Sequence, residues 1–284
     1  MRPTLFSIGD FSVSSFYFIV FICVIVGNFL TWWEIRRNKL DIKMALQGAV
    51  ITTTMGYFGA RAMHIVFDGF LDIYIQKPLA IFAVWKGGLA FYGTVIFGLP
   101  TAVWWFTKHK APLMKYLDCY ILGLAFGLGL GRSACYLNGC CCFGEISASP
   151  FAETFLRYGL SAKNQFARDI LLNLKDLPLP VLPTQLVSTF VTSSIFLVLW
   201  FYFRKHKKKD GELLGLWLTM YGTFRFIIEF FRADDRGLFF NNLLSTSQLV
   251  AIITFTIGML ILVLPSEETL KENKNNDQTV QNNL

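Results

Sequence analysis

The sequence predicts an all-α polytopic membrane protein with about seven transmembrane helices and a small periplasmic segment between helices four and five. The chain has 284 residues, of which 54% are hydrophobic and 16% aromatic, including 29 Phe. Its mean hydropathy is +0.48, which is too apolar for a soluble domain of this length. The apolar residues are also grouped into stretches of roughly 17 to 25 residues, the length that crosses the hydrocarbon core of a bilayer.

Seven apolar stretches follow one another along the chain and are separated by polar loops. They lie at about residues 13–33, 44–67, 82–106, 116–137, 186–203, 211–231 and 247–264. Met1 to Asp10 lacks the basic run of a signal peptide, and no small-residue cleavage pattern follows, so the first span is expected to be retained. We predict a membrane domain over residues 1–265 and a disordered cytoplasmic tail over 266–284, which is polar and rich in Asn.

Basic residues orient these spans because short cytoplasmic loops collect Lys and Arg. They concentrate in three alternate loops: Arg36, Arg37, Lys39 and Lys43; Lys108, Lys110 and Lys115; and Arg204, Lys205, Lys207, Lys208 and Lys209. The segment 139–185 is mixed in charge and falls on the opposite side. We therefore expect a periplasmic amino terminus and a cytoplasmic carboxyl terminus. The net charge of +7 predicts attraction to anionic lipid, with no nucleic-acid partner.

Charged side chains within the apolar stretches indicate a site inside the helix bundle. An arginine at the centre of a transmembrane helix costs roughly 2.5 to 3.5 kcal/mol on insertion scales, so it marks function by default. Arg225, Glu229 and Arg232 follow an i, i+4, i+7 spacing and share one helix face. Arg132 ends a glycine-rich span.

That span carries Gly123, Gly127 and Gly131 at every fourth position. Small residues at this spacing let helix backbones approach closely in lipid, so we predict a packing seam along all three.

Two other charged groups have structural interpretations. Asp118 is expected to form a buried polar network with Arg61 and Lys86, either as a structural or as a functional ion pair. The run from Arg204 to Lys209 is interpreted as solvated or lipid-facing charge that sets the topology.

The stretch from Gly131 to Cys140, with Gly-Arg followed by Asn138-Gly139, resembles the signature of the prolipoprotein diacylglyceryl transferases, G-R-x-x-N-F-x-N-x-E-x-x-G. Further blocks resemble the family in the same order along about 240 residues. They are Phe6 to Gly9, Gly59 to Arg61, Trp85 to Gly93, Pro183 to Leu186, Tyr221 to Arg232 and Ser245 to Gln248.

The resemblance implies a transferase of the bacterial inner membrane. Such an enzyme moves a diacylglyceryl group from phosphatidylglycerol to the lipobox cysteine thiol of a prolipoprotein, forming a thioether and releasing glycerol phosphate. The implied partners are phosphatidylglycerol, prolipoprotein signal peptides and membrane lipid, and no cofactor is implied.

The same resemblance suggests the site residues. A guanidinium pairs bidentately with phosphate oxygens and stays charged at membrane depth, so we expect Arg132 and Arg225 to clamp the headgroup. The expected substrate-binding residues around them are Asn138, Gly139, Gln185, Tyr221, Glu229 and Arg232.

The chain departs from the family pattern where the thiol must be activated. The family histidine is replaced by Tyr92, which is a candidate base only if its pKa falls well below the ordinary value of about 10. Alternatively, the arginines lower the pKa of the substrate thiol directly, because positive charge favours the thiolate. Cys135 and Cys140 also stand where the family has Asn and Glu.

Four cysteines lie within eight residues at the outer end of the fourth span: Cys135, Cys140, Cys141 and Cys142. Structural thiols, one disulfide such as Cys135 to Cys141, and a part in the site all remain open. A metal is least favoured, because the spacing is not that of paired C-x-x-C motifs and no histidine is near. Together with Tyr92, the cysteine at position 140 also leaves an alternative, a divergent lipid-binding paralogue that is non-catalytic or altered in specificity.

Overall fold

The structure is a computed structural model that describes residues 4–8, 11–67, 75–76, 91–138, 144–145, 149–154, 180–232, 238–239 and 244–265. Most of the described residues are helical. The helices are α1 Ser15–Arg37, α2 Ile42–Phe67, α3 Phe91–Lys108, α4 Leu113–Asn138, α5 Thr184–Val198, α6 Arg204–His206, α7 Glu212–Glu229 and α8 Thr246–Val263. A π-helical stretch, Leu199–Phe203, joins α5 to α6.

Three of the helical segments in the described part of the chain are long and apolar enough to cross a membrane. They are Ser15–Arg37, Leu113–Asn138 and Thr184–His206, and Ser247–Val263 is apolar but shorter. These helices agree with the prediction of a helical membrane protein. The other predicted spans overlap α2, α3 and α7, and that all seven cross the bilayer stays a prediction; residues 82–90 of the third span and the tail 266–284 lie outside the described residues.

Short strands accompany the helices without changing the predicted helical class. The described residues include three two-stranded antiparallel sheets. They pair β1 Thr4–Ile8 with β2 Phe11–Ser14, β3 Glu153–Thr154 with β4 Pro180–Val181, and β5 Leu238–Phe239 with β6 Leu244–Ser245. Strands of two to five residues give too little alternation for sequence periodicity to reveal them.

The chain forms two compact units, one of residues 1–31 and 117–284 and one of residues 32–116. In the first unit, an apolar core joins α4, α7, and α5 with the π-helical stretch that follows it. Leu122 and Leu199 are fully buried in it, and Trp217 is 7% exposed. This core fixes the three helices that carry the candidate site.

Small residues bring α7 and α8 into backbone contact. A Cβ added to Gly258 would lie 2.7 Å from the amide nitrogen of Thr219, and one added to Gly222 would lie 2.9 Å from the nitrogen of Phe255. Real Cβ atoms do not approach backbone so closely. The two helices therefore pack as closely spaced helices do in lipid.

The predicted glycine seam of α4 is only partly correct. Gly123 lies against Gly27 of α1, as expected, but a Cβ at Gly127 or Gly131 would meet no other element within 4 Å in the part of the chain that the structure describes. Helices that cross at an angle stay close over only a turn or so, which explains why a repeat on one face need not be used throughout. Gly129, between the repeat positions, approaches Ser193 of α5.

In the second unit, α2 and α3 pack closely where Gly59 meets Gly93. Phe106 and Tyr116 stack with ring centroids 4.6 Å apart, and Arg61 is buried. Tyr92 lies in the first turn of α3, and its side chain is outside the described residues.

Asp118 anchors the beginning of α7 to α4. Its carboxylate accepts hydrogen bonds from the backbone amides of Gly211, at 2.8 Å, and Leu214, at 2.9 Å, and it pairs with Lys207 Nζ at 2.7 Å. Burial lowers the pKa of Lys207, but the Asp118 and Asp210 carboxylates outweigh it, so the pKa lies above the usual value. Lys207 was not among the predicted partners of Asp118; Lys86 lies outside the described residues and Arg61 belongs to the other unit.

The basic run therefore has structural contacts beyond its predicted role in topology. Lys209 Nζ donates to the carbonyl oxygens of Ile261, Leu262 and Leu264 at 2.5 to 2.9 Å. These are carbonyls at the carboxyl end of α8, where a helix favours a cation. Charge in this loop thus holds helix ends in place.

Candidate functional site

A narrow cleft lies between α4, α5 and α7 in the first unit. Its lining residues are Leu128 and Arg132 from α4, Ser188 and Thr192 from α5, Tyr221, Phe224, Arg225 and Ile228 from α7, and Arg232 just beyond α7. The cleft leaves about 10 Å³, roughly the room of one water molecule. This space is smaller than a phosphate group, so a bound headgroup would require some of the lining side chains to move.

Arg225 is held by an ion pair with Glu229, one helical turn further along α7. Arg225 Nη1 lies 2.7 Å from Glu229 Oε2, and the two side chains are only 12% and 7% exposed. The i, i+4 spacing read from the sequence makes this contact possible. The carboxylate thus fixes the guanidinium at the wall of the cleft.

Arg232 approaches the same carboxylate oxygen. Its Nε lies 3.6 Å from Glu229 Oε2, and its side chain is 4% exposed. The three arginines that line the cleft and Glu229 together comprise three positive charges and one negative charge. These four side chains therefore carry two positive charges in excess, which favours an anionic ligand.

Ser245 holds the other oxygen of Glu229. Its Oγ donates to Glu229 Oε1 at 2.9 Å, while it accepts from the backbone amide of Gln248 at 3.1 Å. Ser245 is the N-cap of α8, and Gln248 completes a capping box by accepting from the Ser245 amide at 2.9 Å. The amino end of α8 thus positions the carboxylate that orients the arginines.

Backbone contacts tie the end of α7 to the beginning of α5. The amide of Gly144 donates to the carbonyl of Leu182 at 2.8 Å, the amide of Leu182 donates to Glu145 at 3.1 Å, and the amide of Glu145 donates to Phe231 at 3.2 Å. Gly144 also forms a β-bridge with Arg232. A Cβ at Gly144 would lie 2.7 Å from the Phe231 carbonyl oxygen, so only glycine fits here.

One face of α5 is polar and buried. Thr184, Gln185, Ser188 and Thr192 are at most 8% exposed. Ser188 and Thr192 reach the cleft, whereas Gln185 lies one turn before them. Neither hydroxyl was predicted as a site residue, although their i, i+4 spacing within an apolar helix is a signal that the sequence does contain.

The structure brings together four of the residues proposed from the sequence: Arg132, Tyr221, Arg225 and Arg232. Tyr221 stacks flat on Trp217, with ring centroids 4.7 Å apart and an interplanar angle of 6°, which fixes its ring beside the cleft. Glu229 pairs with two of the arginines, as described above.

The other proposed residues do not line this cleft or lie beyond the described residues. Asn138 is buried at the last position of α4, and Cys135 lies on the same helix, partly buried. Tyr92 belongs to the other unit. Gly139, Cys140, Cys141 and Cys142 are outside the described residues, so the Cys135 to Cys141 link stays a prediction. No three His, Cys, Asp or Glu side chains gather as metal ligands in the described part of the chain.

The fold and the cleft define a helical membrane protein with a cluster of arginines, in excess over Glu229, between three of its helices. Residues 3–264 match the family model described as prolipoprotein diacylglyceryl transferase. The chain belongs to this family of transferases, as its sequence motifs suggested.

Individual relatives agree with the family match. The chain is 29% identical to the phosphatidylglycerol–prolipoprotein diacylglyceryl transferase of Wigglesworthia glossinidia brevipalpis, over 92% of this chain and 95% of that protein. It is 28% identical to the protein of the same name from Vibrio campbellii, over 96% and 93%. It is also 28% identical to the one from Proteus mirabilis, over 92% and 90%.

Proposed function

We propose that this protein transfers the diacylglyceryl group of phosphatidylglycerol to the lipobox cysteine of prolipoproteins. The observation that carries the proposal is the buried cleft lined by Arg132, Arg225 and Arg232, in a chain that belongs to a family of such transferases over nearly its whole length. The named relatives act on the same two substrates.

The reaction requires a thiolate on the peptide cysteine and stabilisation of the phosphate as it leaves. The cysteine sulfur, as a thiolate, attacks the glyceryl carbon that bears the phosphate ester. The carbon–oxygen bond breaks, and its electron pair leaves with glycerol phosphate, so a thioether forms. In this proposal Arg132 and Arg225 bind the phosphate and stabilise the charge that develops on it as it leaves.

Around this pair, Glu229 orients Arg225 and Arg232, and Tyr221 forms part of the wall. Asn138, Gly139 and Gln185 are proposed to support the bound substrates. The thiol proton is taken by Tyr92, or the thiolate forms in the field of the arginines. The Cys135 to Cys142 region is proposed to flank the site as structural thiols or as part of it.

The protein is proposed to lie in the bacterial inner membrane as a domain of about seven spans over residues 1–265. Its amino terminus and the segment 139–185 are periplasmic in this proposal, where signal peptides of prolipoproteins can reach the site. The carboxyl terminus and tail are cytoplasmic.

The experiment uses the purified full chain in vesicles that contain phosphatidylglycerol, together with a synthetic lipobox peptide. The peptide should gain the mass of one diacylglyceryl group, and glycerol phosphate should appear in equal amount. Arg132→Ala and Arg225→Ala should abolish transfer, and Lys at either position should restore it poorly, because an ammonium cannot form the planar fork.

Arg204→Ala is the matched control. Arg204 lies in the same unit but stacks on Trp200, 3.9 Å from the ring centroid, and is not among the cleft residues. Its loss should leave transfer unchanged. If the wild-type protein binds phosphatidylglycerol without transferring its diacylglyceryl group, the alternative of a lipid-binding paralogue holds, as Tyr92 and Cys140 allow.

A further inference from the structure

Two hydroxyl groups line the arginine cleft without being needed to neutralise a phosphate. Ser188 and Thr192 lie one helical turn apart on α5 and are 8% and 5% exposed. Both reach the same small space as Arg132 and Arg225. Any headgroup whose phosphate binds the arginines would bring its remaining atoms close to these hydroxyls.

The direction of their hydrogen bonds limits what the two side chains can recognise. Ser188 Oγ donates its proton to the Thr184 carbonyl at 2.7 Å, and Thr192 Oγ1 donates to the Ser188 carbonyl at 2.5 Å. A hydroxyl has one proton and two lone pairs. With the proton committed to the helix, each oxygen offers the cleft an acceptor, which a hydroxyl-bearing ligand can satisfy.

The charge of the cleft further limits the class of ligand that can bind. An ammonium headgroup could also donate to these oxygens, but the excess of two positive charges in the cluster of Arg132, Arg225, Arg232 and Glu229 repels it. A phosphate followed by a neutral group with several O–H donors fits both features. Glycerol is such a group.

We propose that Ser188 and Thr192 bind the hydroxyls of the glycerol headgroup and thereby select phosphatidylglycerol over phospholipids whose headgroup is cationic or lacks hydroxyls. This assignment rests on the proposed function, because it concerns the lipid donor of that reaction. It adds two specificity-determining residues from α5 to a site whose charged residues come from α4, α7 and the residues after α7.

The test compares two lipids that share the diacylglycerol and the phosphate. Phosphatidylglycerol is the varied substrate, and phosphatidic acid, which lacks the headgroup glycerol, is the competing inhibitor. Each neutral hydrogen bond contributes about 0.5 to 1.5 kcal/mol, so the loss of two in the double variant Ser188→Ala, Thr192→Val should raise KM for phosphatidylglycerol about five- to 150-fold. The inhibition constant of phosphatidic acid and kcat should stay as in the wild type.

The helix supplies a matched control. Ser194 and Thr189 make the same bonds to the carbonyls of Phe190, at 2.8 Å, and Gln185, at 2.9 Å, but neither lines the cleft. The double variant Ser194→Ala, Thr189→Val should therefore change neither KM for phosphatidylglycerol nor the inhibition constant of phosphatidic acid. This pair separates headgroup recognition from a general effect of removing hydroxyls from α5.

Two results would overturn the assignment. In one, the Ser188 and Thr192 variant weakens both lipids equally, which would show that the hydroxyls only shape the cleft or the fold. In the other, the variant changes the affinity for neither lipid. If the wild-type protein transfers nothing, direct binding of the two lipids, measured by native mass spectrometry, gives the same comparison. Failure of the proposed function is therefore distinguishable from failure of this inference.

Discussion

At the residue scale, substitution of Tyr92, which stands where the family pattern has a histidine, tests how the thiol is activated. If its phenolate is the base, Tyr92→Phe removes the proton acceptor and keeps the ring. We expect transfer to fall by about two to four orders of magnitude, the usual scale for loss of a general base. Single-turnover transfer to a lipobox peptide measures this step.

Tyr202→Phe, which alters an exposed tyrosine of the π-helical stretch, serves as the control for Tyr92. An unchanged rate in Tyr92→Phe, with Arg225→Ala still inactive, would contradict the base and leave the field of the arginines as the source of the thiolate.

Ser245 has two roles that substitution can separate, capping α8 and holding Glu229. Aspartate caps a helix about as well as serine, but it cannot donate to Glu229 and repels that carboxylate. Ser245→Asp should therefore keep α8 capped, lower the unfolding midpoint because two carboxylates then face each other, and weaken phosphatidylglycerol binding about tenfold, the scale of one charged hydrogen bond. Lipid titration and thermal unfolding in detergent measure the two effects.

Ser245→Thr retains both the cap and the hydroxyl donor, so it should behave as the wild type. Equal lipid affinity in the Asp and Thr variants would show that the bond between Ser245 and Glu229 has no part in positioning the arginines.

The charged residues of the cleft were predictable from the sequence and its hydroxyls were not, for a physical reason. Arg132 and Arg225 stand out because a guanidinium within an apolar stretch costs energy that only a site explains. Ser188 and Thr192 do not, because a hydroxyl can bond to its own helix and is tolerated anywhere in lipid. Ser245 acts on Glu229 through a contact between positions sixteen residues apart, which no local pattern reveals.

At the scale of helices, the contact between α7 and α8 depends on glycines. A methyl group at Gly258 would meet the backbone of Thr219 at 2.7 Å, so Gly258→Ala must push the helices apart. We expect a loss of about 1 to 3 kcal/mol, the usual cost of overpacking. Unfolding of the detergent-solubilised protein by added dodecyl sulfate measures it.

Gly127→Ala is the control for the helix contact. Among the described residues, no atom from outside this stretch of α4 lies within 4 Å of a Cβ at this position, and alanine is the better helix former. Its stability should equal or slightly exceed that of the wild type. A similar loss in both variants would contradict close packing as the cause.

The helices were largely predictable and their partners were not. Apolar stretches long enough to span a bilayer mark helices within a few residues, and α4 and α8 begin and end close to the predicted bounds. The use of Gly123 and not Gly127, and the pairing of Asp118 with Lys207, depend on which helices meet. A single sequence contains the residues of such contacts but not the arrangement that joins them.

At the scale of the whole molecule, the distribution of Lys and Arg predicts the orientation in the membrane. A reporter fused after Lys209 should read as cytoplasmic, and one inserted near Lys163 should read as periplasmic. Paired phosphatase and fluorescent-protein fusions at each position measure this. The opposite result at both positions would reverse the orientation and put the segment 139–185 in the cytoplasm.

Complementation of a bacterial strain depleted of its own diacylglyceryl transferase tests whether this chain is an active transferase that uses its arginine cleft. The wild-type chain and Arg204→Ala should restore growth and lipoprotein maturation. Arg132→Ala and Arg225→Ala should reach the membrane in equal amount and restore neither. Growth supported by both cleft variants would contradict the role of the arginines. Failure of a wild-type chain that is present in the membrane to support growth would contradict its activity as a transferase.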